Sequence, residues 1–158
     1  MAAEVLLLLG ADQGDVRATF ARAEAAIDAR CGTVLARSRD HWTEPWGFAG
    51  PALFLNRALL VATALSPSRL MEALLAIEQG LGRVRGGTGY ASRTLDIDIL
   101  LWQDRRIDLP GVQVPHPRLH QRAFALAPAA DLCPLAVPPG RDGTLLQLLD
   151  RAAAPAGD

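Results

Sequence analysis

The sequence contains no lysine; all 16 of its basic residues are arginine. This excludes chemistry that needs a lysine side chain: a P-loop, a protein-kinase type phosphate lysine, or a Schiff base. Any phosphate handled here falls to arginine, backbone N–H groups and metal ions. Cysteine is scarce too. Cys31 and Cys133 show no metal-ligand spacing and read as reduced thiols rather than a disulfide. No GxSxG, HExxH or zinc-type cysteine cluster occurs. No apolar run approaches the roughly 20 residues that span a bilayer. The stretch Val5-Leu6-Leu7-Leu8-Leu9 lacks a basic region before it and ends at Gly10, so it reads as a buried strand rather than a signal peptide. A formal net charge of -1 indicates no general nucleic-acid surface. The expectation is a cytoplasmic protein, a monomer, with neither membrane nor nucleic acid as partner.

What is present is a globular composition. With 158 residues, half of them hydrophobic, the chain can build one domain with a real core. Residues 1–158 read as that domain, with a frayed tail from about Ala153. Val5–Leu9 is the first expected strand, and Gly10 to Asp15 a turn ending in a helix N-cap. Val16, Phe20, Ala23 and Ile27 have the spacing of a buried helical stripe running to about Arg30. Thr33 to about His41 reads as a second strand, with Val34, Ala36 and Ser38 on one face. Thr43 to Pro51 is a loop and Phe54 to Ala62 a third strand. Ser66-Pro67 starts a second helix with Leu70, Leu74, Ile77 and Leu81 inward. A glycine-rich loop, Gly80 to Ser92, leads to a fourth strand, Leu95–Trp102. Pro110 to Pro117 is expected to be extended, with helical pieces at 119–127 and 144–152. The order β-α-β-β-α-β predicts an α+β, ferredoxin-like split βαβ fold: an antiparallel sheet with helices on one face, a free opposite face, and additional C-terminal elements. A flavodoxin-like fold would need a helix between the second and third strands.

The fourth strand carries the chemistry. In Leu95-Asp96-Ile97-Asp98-Ile99-Leu100-Leu101, alternation places Asp96 and Asp98 on one face and Leu95, Ile97, Ile99 and Leu101 on the other. Two adjacent carboxylates on a mostly apolar strand call for positive charge between them, unless both are simply solvated. Mg²⁺ carrying substrate phosphates suits them, because that ion is often held by only one or two protein carboxylates. Arg93 is placed for the phosphates. The segment Glu78-Gln79-Gly80-Leu81-Gly82-Arg83-Val84-Arg85 is either a helix C-cap or a loop whose arginines close over polyphosphate. His116, between Pro115 and Pro117, is either structural or a fixed phosphate contact. Trp46 and Phe54 are either core or a clamp for a flat heterocycle whose polar edge Asn56 reads.

These segments together resemble the 6-hydroxymethyl-7,8-dihydropterin pyrophosphokinases. The resemblance rests on Gly82-Arg83-Val84-Arg85, on Ser92-Arg93-Thr94-Leu95-Asp96-Ile97-Asp98-Ile99-Leu100, and on Val114-Pro115-His116-Pro117 followed by Arg122-Ala123-Phe124. Thr43-x-Pro45-x-Gly47 and Phe54-Leu55-Asn56-Arg57 extend it over nearly the whole chain. It implies an ATP-dependent diphosphokinase of folate biosynthesis that moves pyrophosphate from ATP to a pterin. It implies that Asp96 and Asp98 hold two Mg²⁺ ions, and that Arg83 and Arg85 act from a closing loop. Glu78, Arg85, Arg93, Ile99, His116 and Arg122 would serve ATP. Thr43, Pro45, Trp46, Phe54, Asn56, Asp96 and Phe124 would bind the pterin, the two phenylalanines stacking on its faces.

Some positions depart from the family pattern. Gly10-Ala11-Asp12 stands where Gly-Ser-Asn is usual, and Tyr90-Ala91-Ser92 where aromatic-Gly-Pro is common. Residues 86–89 are Gly-Gly-Thr-Gly, and Gly111 stands at a site that is basic in some relatives. They motivate a weakly active paralogue as one alternative; a non-enzymatic ferredoxin-like interaction module is the other.

Overall fold

A computed structural model describes residues 2–12, 14–43, 54–82 and 95–153 of the chain. Strand β1 (Ala3–Ala11) is buried continuously from Val5 to Ala11, as befits a central strand covered on both faces. It runs two residues past the sequence expectation, so Gly10 lies within the strand rather than in a turn. Helix α1 (Val16–Arg30) starts as expected: the Asp15 side chain accepts the Ala18 N–H at 3.1 Å. Its stripe of Val16, Phe20, Ala23 and Ile27 is buried.

The expected second strand is two strands. β2 (Thr33–Arg37) and β3 (His41–Thr43) both pair antiparallel with β4 (Phe54–Thr63). Between them, Ser38 donates its backbone N–H to Ala58 while its hydroxyl accepts the Ala58 N–H at 2.8 Å. A side chain thus replaces one rung of the ladder and breaks the strand. A bulge between Val34 and Ala36 also turns those two residues to opposite faces, correcting their expected alignment. Helix α2 (Pro67–Gly82) begins at Ser66, whose hydroxyl accepts the Arg69 N–H at 3.3 Å. It buries Leu70, Leu74 and Ile77 as expected.

Strand β5 (Asp96–Trp102) pairs antiparallel with β1, giving the order β2-β4-β1-β5 with β3 also on β4. This is the ferredoxin-like arrangement. A bulge lies opposite Leu6 and Leu7. It sends Leu100 and Leu101 together to the face of Leu6 and Leu8, while Trp102 joins Ile97 and Ile99 on the helix face. Leu101 is therefore not on the Ile97 side. The expected extended stretch contains a hairpin of β6 (Ile107–Leu109) and β7 (Val112–Val114). It turns at Gly111, whose φ of 78° suits glycine. A cis Val114–Pro115 bond follows.

After a 3-10 turn (Leu119–Gln121), helices α3 (Ala123–Leu132) and α4 (Leu145–Ala153) complete the described residues. The helix expected over 119–127 is interrupted at Arg122, which is extended. Helices α1 and α2 cover one sheet face with Leu7, Leu9, Leu55 and Leu59. On the other, Leu126, Ala129, Leu145 and Leu148 pack against Leu6, Leu8, Ala58 and Leu100. The second face is thus not free, as expected from sequence, but half-covered by the C-terminal helices.

Candidate active site

The register places the site. Gly10 pairs with Asn56 on β4 and with Asp96 on β5, so Asn56 and Asp96 flank it, two strand spacings or about 10 Å apart. A Cβ on Gly10 would lie 2.8 Å from the Phe54 ring and 3.4 Å from the Asn56 carbonyl oxygen. Glycine therefore lets the Phe54 ring lean over the strand. Its place inside a strand was the available signal, because glycine there often marks a close approach; read as a turn residue, it was missed. Asn56 is buried and donates its amide N–H to the Thr43 hydroxyl at 3.2 Å. Thr43 pairs with Phe54 across β3 and β4. Thr43, Phe54 and Asn56 thus form one polar-and-aromatic cluster beside Gly10.

Phe124 sits in the first turn of α3, half-buried against the second core. The Arg122 guanidinium lies 5.5 Å from its ring centroid, a cation–π distance. Pro128, inside α3, has no N–H to offer the Phe124 carbonyl, which loosens the turn that carries this ring.

Asp96 and Asp98 project from one face of β5, the first exposed and the second half-buried. As an edge strand, β5 presents outward-facing backbone groups that need partners. Two neighbours supply them. Glu78 of α2, itself buried, accepts the Ile97 N–H at 2.7 Å. The Leu100 carbonyl, turned out at the bulge, accepts the His116 N–H at 3.1 Å. The residue between the two aspartates is thus anchored from α2, and His116 is fastened beside Asp98. Sequence reasoning assigned Glu78 to ATP; its scaffolding bond to Ile97 was not foreseen.

Asp98, Ile99 and His116 line one cavity of about 360 Å³ with Met71, Gly111, Gln113 and Pro117. His116 titrates below the ordinary histidine value. Burial depresses it most; Asp98 pulls it up, and Arg122 and Arg118 push it down. Asp98 and Arg122 therefore both lie within electrostatic reach of His116. The His116 Nδ1 accepts the Arg118 N–H at 3.3 Å, so the neutral ring carries its proton on Nε2 and can donate to an anion.

Among the described residues no three His, Cys, Asp or Glu side chains cluster as metal ligands. Two carboxylates on one strand face nonetheless fit a hard cation that brings its other oxygens from phosphate and water. Pro45, Trp46, Arg83, Arg85 and Arg93 lie outside the described residues, as do the departures at 86–89 and at Tyr90-Ala91-Ser92.

Comparison with known proteins places the chain in a family. The family model for 7,8-dihydro-6-hydroxymethylpterin-pyrophosphokinase matches residues 6–134. A 2-amino-4-hydroxy-6-hydroxymethyldihydropteridine pyrophosphokinase of Porphyromonas gingivalis is 37% identical over 133 residues, covering 82% of this chain and 90% of that protein. The protein of the same name from Bacillus subtilis is 39% identical over 129 residues, covering 80% and 76%. The wild-type HPPK-DHPS of Plasmodium falciparum superposes with a TM-score of 0.74 at 12% identity, a likeness of fold. It covers 96% of this chain, which spans 45% of that longer one. The chain is a member of the 7,8-dihydro-6-hydroxymethylpterin-pyrophosphokinase family.

Proposed function

We propose that the protein transfers pyrophosphate from ATP to the hydroxymethyl group of 6-hydroxymethyl-7,8-dihydropterin, releasing AMP and the pterin diphosphate. The observation that carries this reading is the position of Gly10 between Asn56 and Asp96. It joins a pocket suited to a flat polar heterocycle to the carboxylate strand suited to phosphates. The pterin lies between Phe54 and Phe124, with Asn56 and Thr43 on its polar edge; the family resemblance adds Pro45 and Trp46 as pterin-binding residues. Its hydroxymethyl oxygen then faces Asp96.

Such a transfer demands in-line placement and charge neutralisation more than covalent help. The hydroxymethyl oxygen gives up its proton to water and bonds to the β-phosphorus, the bond from that phosphorus to the α,β-bridging oxygen breaks, and AMP leaves with the electron pair. Asp96 and Asp98 would hold two Mg²⁺ ions, which when bound neutralise the phosphates and orient the attacking and leaving oxygens. His116 donates from Nε2 to a phosphate oxygen, and Arg122 adds charge beside the nucleotide. Arg83, Arg85 and Arg93 supply the remaining positive charge, in keeping with a chain that has no lysine. Ile99 contributes to the wall of the nucleotide cavity, and Glu78 holds the strand beneath it.

Incubation with the dihydropterin, ATP and Mg²⁺ tests the reading. A pterin diphosphate should form with an equal amount of AMP, and neither should form when the pterin is omitted. Absence of both products with folded protein would overturn it.

A further inference from the structure

The pterin pocket has two walls on separate elements: Thr43 on β3 and Phe124 on α3. A single carboxylate ties them together. Asp131 accepts from His41 Nε2 at 2.8 Å, from the Arg39 backbone N–H at 3.2 Å, and from the Arg39 guanidinium at 2.8 and 3.2 Å. It lies seven residues, or two helical turns, beyond Phe124 on α3. His41 lies two residues before Thr43, pairs with Asn56 across the sheet, and so shares its face. Burial alone would raise the Asp131 carboxyl, but these hydrogen bonds outweigh it and hold it at about 2. An ionised Asp131 only accepts, so His41 carries its proton on Nε2.

The same short segment is held from the other sheet face. Asp40 accepts from Arg57 Nε and Nη2, each at 2.7 Å, and from Arg17 at 3.2 Å. Arg57 in turn binds Glu24 of α1 at 2.7 Å and lies 5.2 Å from the Phe20 ring centroid. Residues 39, 40 and 41 are thus fastened alternately to α3, α1 and α3. The Arg39 side chain is 81% exposed, and an exposed ion pair contributes little. The half-buried His41 bond and the Arg39 backbone bond carry the link to α3.

We propose that Asp131 is a positioning residue that sets the spacing between the Thr43 and Phe124 walls, and so selects for the pterin without touching it. This rests on the function proposed above. Such a residue should alter recognition of one substrate only. In Asp131→Asn and His41→Leu, KM for the pterin should rise about tenfold, with KM for ATP within about twofold of wild type. His41→Gln, which keeps a donor toward Asp131, should recover most of the loss, and Arg39→Met should change little. Amide hydrogen exchange in the absence of substrate, followed on the same variants, should speed up at residues 41–43 in Asp131→Asn and His41→Leu while residues 96–98 stay protected. Pterin KM unchanged in both variants, or an equal rise for both substrates, would overturn the proposal, as would unchanged exchange at residues 41–43. If the wild-type protein makes no pterin diphosphate, the enzymatic reading fails, and the exchange data still decide whether Asp131 joins β3 to α3.

Discussion

The buried Glu78 carboxylate accepts the backbone N–H of Ile97 at 2.7 Å, gripping the carboxylate strand at the residue between Asp96 and Asp98. A hydrogen bond to a charged group contributes roughly 1.5–3 kcal/mol, and a buried donor left without a partner costs about as much. Glu78→Ala should therefore lower stability by about 2 kcal/mol. It should also lower turnover by more than the loss of folded protein explains, because the aspartates lose their alignment. Chemical denaturation with turnover per folded molecule separates the two; full activity of the folded fraction would contradict the anchoring role.

Asp96→Ala and Asp98→Ala should each reduce turnover by orders of magnitude and leave the fold intact, since neither side chain belongs to the apolar core. Asp98→Ala should have a second effect. Asp98 raises the His116 pKa against burial and two arginines, so its removal should move that pKa further down. Imidazole resonances followed against pH by NMR check the direction. A rise would separate Asp98 from His116.

Gly10→Ala should weaken pterin binding and spare ATP. The new methyl would meet the Phe54 ring at 2.8 Å, so the ring must shift, while the Asn56 oxygen at 3.4 Å would be in ordinary contact. Calorimetry with each substrate reads this directly, and undiminished pterin affinity would show that the gap beside Gly10 is not part of the pocket.

Two titrations shape stability in acid. The His116 pKa lies below its ordinary 6.5, so folding favours the neutral ring. That contribution is complete above 6.5 and is lost as pH falls through the lower folded value. The Asp131 carboxyl, held at about 2 against an ordinary 3.8, favours the folded state above 3.8 and loses that contribution as pH falls through about 2. His116→Asn should flatten the fall in Tm as pH drops below 6.5, and Asp131→Asn the fall as pH drops below 3.8. Unchanged slopes would contradict these assignments.

What was legible in the sequence was local. The alternation of Asp96 and Asp98 against Ile97 and Ile99, the Asp15 and Ser66 caps, and the stripes of α1 and α2 follow from short-range periodicity and capping chemistry. What was not legible depends on partners distant in the chain. The bulge that turns Leu101 across the sheet is defined against β1, and the Leu100 carbonyl is occupied by His116. The break between β2 and β3 comes from the Ser38 hydroxyl meeting the Ala58 N–H. Asn56 was legible as a residue suited to a polar edge, but Gly10 was missed because its consequence exists only once the Phe54 ring leans over it. The proline-rich stretch concealed a hairpin, because Gly111 becomes a turn only where Val112 and Val114 have Leu109 and Ile107 to pair with.

In the proposed transfer the bond broken lies between the β-phosphorus and the oxygen leading to the α-phosphate. ATP labelled in separate experiments at the α- and γ-phosphorus, supplied with the dihydropterin and Mg²⁺, tests it most directly. The α label should be recovered in AMP and the γ label in the pterin diphosphate. Recovery of the α label in ADP, with a pterin monophosphate as the other product, would contradict it.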